Sequence, residues 1–133
     1  MDELLEKLRV DFPDLRFVPG RKFMFRYPRT VVLGPCEPFH ELLLLHEVGH
    51  AVLEHKSFRT DVERLKMESL AWEEARKLAL RYGIEFDEEF AEGELDSYRD
   101  WLHKKSRCPS CGLTRFQDAD GYHCPMCENT KRG

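Results

Sequence analysis

The sequence predicts an α+β chain: a small antiparallel sheet packed on a central helix and further helices, followed by a compact cysteine module. Three observations predict it. Short β-rich pieces broken by Pro and Gly fill residues 15–34, helical periodicity runs through most of 38–105, and four cysteines form two C-P-x-C knuckles near the end. The 133 residues, 41% of them hydrophobic, suit one modest core with a small appendage.

The elements follow in order. Residues 2–11 predict a short helix with Leu4, Leu5 and Leu8 on one face, closed by Pro13. LRFVP, KFMFRY and RTVVLG then read as two or three strands, punctuated by Pro19-Gly20, Pro28 and Gly34-Pro35. From Pro38 to about Lys56 a helix carries apolar residues on every side, which makes it a buried, central one. A longer helix spans Asp61 to Tyr82 and stops at Gly83, a C′ position. A further helix runs from Glu88 to about Lys105. Cys36, between sheet and helix, is expected to be a small buried residue.

The net charge of −4 is uneven. Residues 103–133 hold six basic and three acidic residues, a net +3, which leaves −7 on the first 102. Three net charges are too few to claim nucleic-acid binding on charge alone. The acidic N-terminus has no basic stretch ahead of an apolar one, and no apolar run approaches the roughly 20 residues of a membrane span. A soluble, cytoplasmic protein without a membrane partner is the expectation.

Within the central helix, LLLLHEVGHAVLEH sets His46, Glu47 and His50 in an apolar run. Burying such groups without partners is costly, and H-E-x-x-H on a helix supplies a reason for them. The i, i+4 spacing puts both imidazoles on one face, able to ligate one ion, with Glu47 beside it as general base for a zinc-bound water. The competing reading is two core histidines hydrogen-bonded to backbone or carboxylates. Two histidines leave a zinc site incomplete, because catalytic sites use three protein ligands. The next helix offers Glu63, Glu68, Glu73 and Glu74. At about 100° per residue, Leu65, Ala71, Trp72, Ala75, Ala79 and Tyr82 fall within about 60° of Glu68, which sets it in the core-facing stripe. Glu68 is therefore the expected third ligand and Glu74 the alternative; a buried ion pair between Glu68 and Arg64 is the competing role. His40 and His55 lie off the metal face and are expected to be bystanders.

Cys108-Pro-Ser-Cys111, twelve residues, then Cys124-Pro-Met-Cys127 reads as a zinc ribbon. Four thiolates close a tetrahedral site, and the spacer suits a hairpin turning at Asp120-Gly121. Iron in a rubredoxin-like site is the alternative. With so little core, the metal would supply the folding energy of the module. Arg107, Arg115, Lys131 and Arg132 with Phe116 and Tyr122 could give a basic-aromatic surface for a nucleic acid or a protein partner.

LLLLHEVGHAVLEH followed by MESLAWEEARKLA resembles the ImmA/IrrE group of zincin metallopeptidases, over about residues 20–83. The resemblance implies a small sheet, an HExxH helix and a following helix with a glutamate ligand in an E-x-x-A pattern, here Glu68 and Ala71. Taken with the cysteine knuckles and the change of style near residues 104–107, the resemblance implies a zincin-like metallopeptidase domain over 1–104, ahead of a four-cysteine zinc ribbon over 105–133. Such a chain carries two Zn2+, one catalytic and one structural, and hydrolyses peptide bonds of a specific intracellular protein. It also implies that Thr30, Val31, Val32 and Leu33 form an edge that holds the substrate backbone as an added strand. SprT-like proteins are a second resemblance, joining HExxH to a C-terminal ribbon; their third ligand is a histidine, for which only His55 is available. The alternative function is a non-catalytic zinc-binding regulatory module that docks nucleic acid or a protein through the ribbon.

Overall fold

The computed structural model describes residues 2–127, so Lys131, Arg132 and the rest of the terminal tail lie outside the described residues. The order is α1 (Asp2–Asp11), β1 (Arg16–Pro19), β2 (Met24–Arg26), β3 (Thr30–Leu33), α2 (His40–Val52), α3 (Asp61–Tyr82), α4 (Glu88–Ser106), β4 (Phe116–Asp118) and β5 (Gly121–His123). The α+β expectation holds, with four helices and two small sheets among the described residues. No helix among them is long and apolar enough to cross a membrane.

The first sheet differs from expectation. Its order is β1-β3-β2, with β1 parallel to β3 and β2 antiparallel to it. The sheet is therefore mixed, and Thr30–Leu33 is its centre rather than an edge. Thr30, Val31 and Val32 are paired on both sides. The fourth residue, Leu33, gives its carbonyl to the Gly20 N–H at 2.8 Å. An added substrate strand has no free ladder there. The sequence carries the mark of this: Val31 and Val32 are adjacent and both buried, as a strand covered on both faces requires. Cys36 is exposed, not buried, because it sits on the loop leading out of β3.

α2 lies between the sheet and α3, and α4 packs on α3. Leu42, Leu44, Leu45 and Val48 of α2 meet Val31 of the sheet, Leu4 and Leu8 of α1, and Trp72, Ala75, Leu78 and Ala79 of α3 in one core. α3 begins at Thr60, whose hydroxyl accepts from the Glu63 N–H at 3.2 Å, and ends at Gly83 in the left-handed conformation (φ 68°). Two features set the spacing of α2 and α3. The stripe of small residues on α3 is one, and Gly49 is the other. A Cβ on Gly49 would lie 2.6 Å from the Ala71 carbonyl oxygen and 3.3 Å from Glu74 Cβ. Ala71 is one turn from Glu68, and Gly49 precedes His50, so this approach fixes how near the glutamate comes to the histidines.

Replacing Gly49 with Ala forces a side chain against the facing backbone. It should cost about 1–3 kcal/mol in a urea melt. Gly93→Ala in α4 is the control of opposite sign: its Cβ would meet nothing within 4 Å, and removing a mid-helix glycine should stabilise by about 0.5–1 kcal/mol.

Candidate metal centres

Two groups of side chains among the described residues are arranged to hold an ion: His46, His50 and Glu68, and the four cysteines 108, 111, 124 and 127.

The first spans two helices. His46, Glu47, His50 and Glu68 are all buried, keeping 8–9% exposure. The Nε2 atoms of His46 and His50 lie 3.0 Å and 2.7 Å from one oxygen, Oε2 of Glu68. Donor atoms within 4.8 Å of one another suit a single ion. Zinc bound at about 2.0–2.1 Å to N and O would space its ligands by about 3.4 Å, so a small outward shift admits it. The donor set, two imidazoles and a carboxylate, leaves a tetrahedral ion one further position and fits a catalytic zinc or a similar divalent ion.

The surroundings hold the ligands in place. Trp72 stacks on His46 with centroids 4.3 Å apart and planes 12° from parallel. Glu47 Oε2 lies 3.1 Å from Nδ1 of His46, so the outer nitrogen of that ring is oriented by a carboxylate. Burial alone would lower the His46 pKa. The hydrogen bonds to Glu47 and Glu68 outweigh it and raise the value to about 9. Burial would likewise raise the carboxyl of Glu68, and the two imidazoles hold it well below its usual range. Both imidazoles thus reach the carboxylate through Nε2, and a cation could stand between them.

Position separates the candidates around the two histidines. Glu68 is the carboxylate that meets the histidines. Glu74 is not: it pairs with Lys77 at 3.7 Å and its Cβ stands beside Gly49. Arg64 does not pair with Glu68; its guanidinium lies over the rings of Phe58, Tyr98 and Trp101. His40 lines a separate cavity with Glu41 and Glu85.

His55 is not a bystander. Its Nδ1 is 2.8 Å from Nδ1 of His50. The helical projection fails there because α2 ends at Val52. The Glu54 N–H bonds Ala51 O at 3.1 Å and the His55 N–H bonds His50 O at 3.0 Å, a Schellman close with Glu54 left-handed at φ 56°. That turn folds His55 back over His50. No glycine marks the position, so the sequence carries no signal for it. With an ion on Nε2, the outer nitrogen of His50 would carry the proton and donate it to His55.

The cysteine group lies at the end of α4. Cys108 and Cys127 sulfurs are 3.7 Å apart, Cys111 and Cys124 sulfurs 3.5 Å; a zinc with bonds of about 2.3 Å would set them near 3.8 Å. Backbone N–H groups of Cys111 and Ser110 lower the Cys108 thiol to about 6. Neighbouring thiols push Cys127 up to about 12, so full ionisation of the set needs a cation. The hairpin turns at Ala119-Asp120, with Asp118 paired to Gly121, one residue before the expected turn.

This module is locked to the helices through Asp61, which is 5% exposed. Tyr122 donates its hydroxyl to Asp61 Oδ2 at 2.6 Å, and Lys105 Nζ lies 2.9 Å from the same oxygen. The Asp61 N–H donates to Gln117, the sole glutamine of the chain, at 2.6 Å. Arg115 donates to the Lys105 carbonyl at 2.7 Å. Of the basic-aromatic set, Arg115 and Tyr122 thus face the helices, while Arg107 and Phe116 are exposed.

The protein is thus an α+β chain with a buried two-histidine, one-glutamate group and a four-cysteine knuckle group, each of which could hold a metal ion. Comparison with family models, with curated proteins and with solved structures returns no match for this chain.

Glu68→Gln should weaken metal binding at the histidine group by at least about 10–100-fold in a chelator competition, and His55→Phe by about 10-fold, while Glu74→Gln leaves it unchanged. Asp61 should give an acid signature. Burial opposes its charge, but Tyr122 and Lys105 outweigh burial and hold its pKa below the ordinary value. Its contribution is therefore fully present above about pH 4 and is lost as pH falls through the folded value. The stability gap between parent and Asp61→Asn, read from urea midpoints, should shrink on acidification across that window.

Proposed function

We propose that this chain is a zinc-dependent metallopeptidase of the zincin class, similar in kind to the ImmA/IrrE group, with a second, structural zinc in the C-terminal ribbon. The single observation that carries the reading is the convergence of Glu68, from α3, on the Nε2 atoms of both histidines of H-E-x-x-H. Chance core histidines would be served by any neighbouring acceptor; a shared carboxylate from the following helix is the third ligand that the motif lacks.

His46, His50 and Glu68 would hold the ion. When bound, zinc supplies a Lewis acid that polarises a peptide carbonyl and acidifies water. The chain's own residues do the rest. Glu47, which lies 3.1 Å from Nδ1 of His46, would turn from that nitrogen to take the proton of the attacking water and return it to the departing amine. The stack of Trp72 on His46, and His55 on His50, hold the two rings against rotation. The substrate is a protein or peptide.

A second reading keeps both metals structural and makes the ribbon a docking module. It is favoured by the exposure of Leu113 and Phe116 on the ribbon, 45% and 57%, which suits a protein partner rather than a nucleic acid.

The test is a screen of quenched fluorogenic peptides with zinc-loaded parent and Glu47→Gln. The variant should keep two zincs and lose roughly 100- to 10,000-fold in kcat/KM. Cleavage by the variant at the parental rate would remove Glu47 from the mechanism. Two tightly held zincs with no cleavage by the parent would favour the docking reading.

A further inference from the structure

Arg64 stands on α3 one turn before Glu68, about 6 Å along the helix. Its guanidinium carbon lies 5.2 Å from the ring centroids of both Tyr98 and Trp101 and 5.5 Å from that of Phe58. With Ser97, the residues Arg64, Tyr98 and Trp101 line an open cavity of about 250 Å³ between α3 and α4. The cavity stands beside the histidine group because Arg64 and Glu68 share one face of α3, one turn apart.

Among the described residues Arg64 has no acidic partner; the arginine ion pairs there belong to Arg76, Arg81 and Arg99. What sets Arg64 apart is its place against three aromatic rings at a cavity. Glu68, one turn along the helix, is committed to the histidines. Three aromatic rings hold the guanidinium by its charge, and such contacts leave N–H donors for a fork-shaped acceptor. A carboxylate is the acceptor of that shape.

We propose that the Arg64 cavity is a substrate subsite that binds a carboxylate of the peptide, from an acidic side chain or a free C-terminus, close to the bond to be cut. The assignment of that carboxylate to a substrate rests on the peptidase reading. The cavity's chemistry does not, and the test separates the two.

The full chain, zinc-loaded and 15N-labelled, is titrated with three probes while the Trp101 indole N–H and the Arg64 Nε–H are followed by NMR. N-acetylglutamate α-amide carries a side-chain carboxylate, N-acetylalanine a terminal one, and N-acetylglutamine α-amide is the neutral isostere. Saturable shifts are expected with a carboxylate probe at a concentration at least about tenfold below any response to the neutral one. The tighter of the two acids names the source of the carboxylate. Arg64→Gln should abolish the difference. Ser97→Glu, which places a tethered carboxylate at the cavity, should abolish it too, whereas Ser97→Gln should not. Equal responses to acid and isostere, or the same acid response in Arg64→Gln, would overturn the proposal. In the cleavage assay, the parent should prefer an acidic peptide to its amide isostere by about tenfold, a preference lost in Arg64→Gln. A carboxylate response in a protein that cleaves no peptide would count against the peptidase reading and leave the carboxylate site standing.

Discussion

A buried carboxylate facing two buried imidazoles is the constraint on which the rest of this molecule depends. Taking Glu68, His46 and His50 out of water costs several kcal/mol unless their charges and protons are matched. Matching them requires two helices to approach closely at one place. Gly49 and Ala71 provide that approach, and the apolar residues around all of α2 bury it. Trp72 on one imidazole and His55 on the other hold the rings once they are there. Each of these residues reads as ordinary packing in isolation. Together they bring three donor atoms within 4.8 Å of one another, a group that could hold a metal ion.

The second site is coupled to the first through α3. Asp61, at the start of that helix, takes Tyr122 and Lys105 on one carboxylate oxygen, while its backbone N–H is held by Gln117. Glu68 follows two turns later on the same helix. The β4–β5 hairpin of the cysteine module is joined to the helix that carries Glu68, so loosening the module would loosen the end of α3 that faces it. A module with so little core of its own gains from that anchorage, and α3 gains partners for Asp61 at its start.

Much of this is legible in the sequence because it is local. The bounds of α1, α3 and α4 follow from periodicity, Pro13 and Gly83. The histidine pair and the cysteine knuckles are spacing patterns. Glu68 is separable from Glu74 because the alanine stripe of α3 shows which side faces the core. What is not legible depends on the path of the chain between elements. The parallel pairing of β1 with β3 is a matter of which strand enters the middle, and short alternating pieces do not encode it, although adjacent buried Val31 and Val32 hint at it. Helical projection misplaces His55 because Glu54 takes a left-handed conformation that its identity does not advertise. Asp61 and Arg64 look like surface charges on a helix until the ribbon and α4 are laid against them.

Whether Glu68 closes a metal site with His46 and His50 is tested most directly by anomalous diffraction at the zinc edge, on crystals of the intact chain grown with zinc. Two peaks are expected: one among the four cysteine sulfurs, and one about 2 Å from both Nε2 atoms and from a Glu68 oxygen. A single peak at the cysteines, with Glu68 still hydrogen-bonded to both imidazoles, would contradict that closure and make the three residues a buried ion-pair cluster.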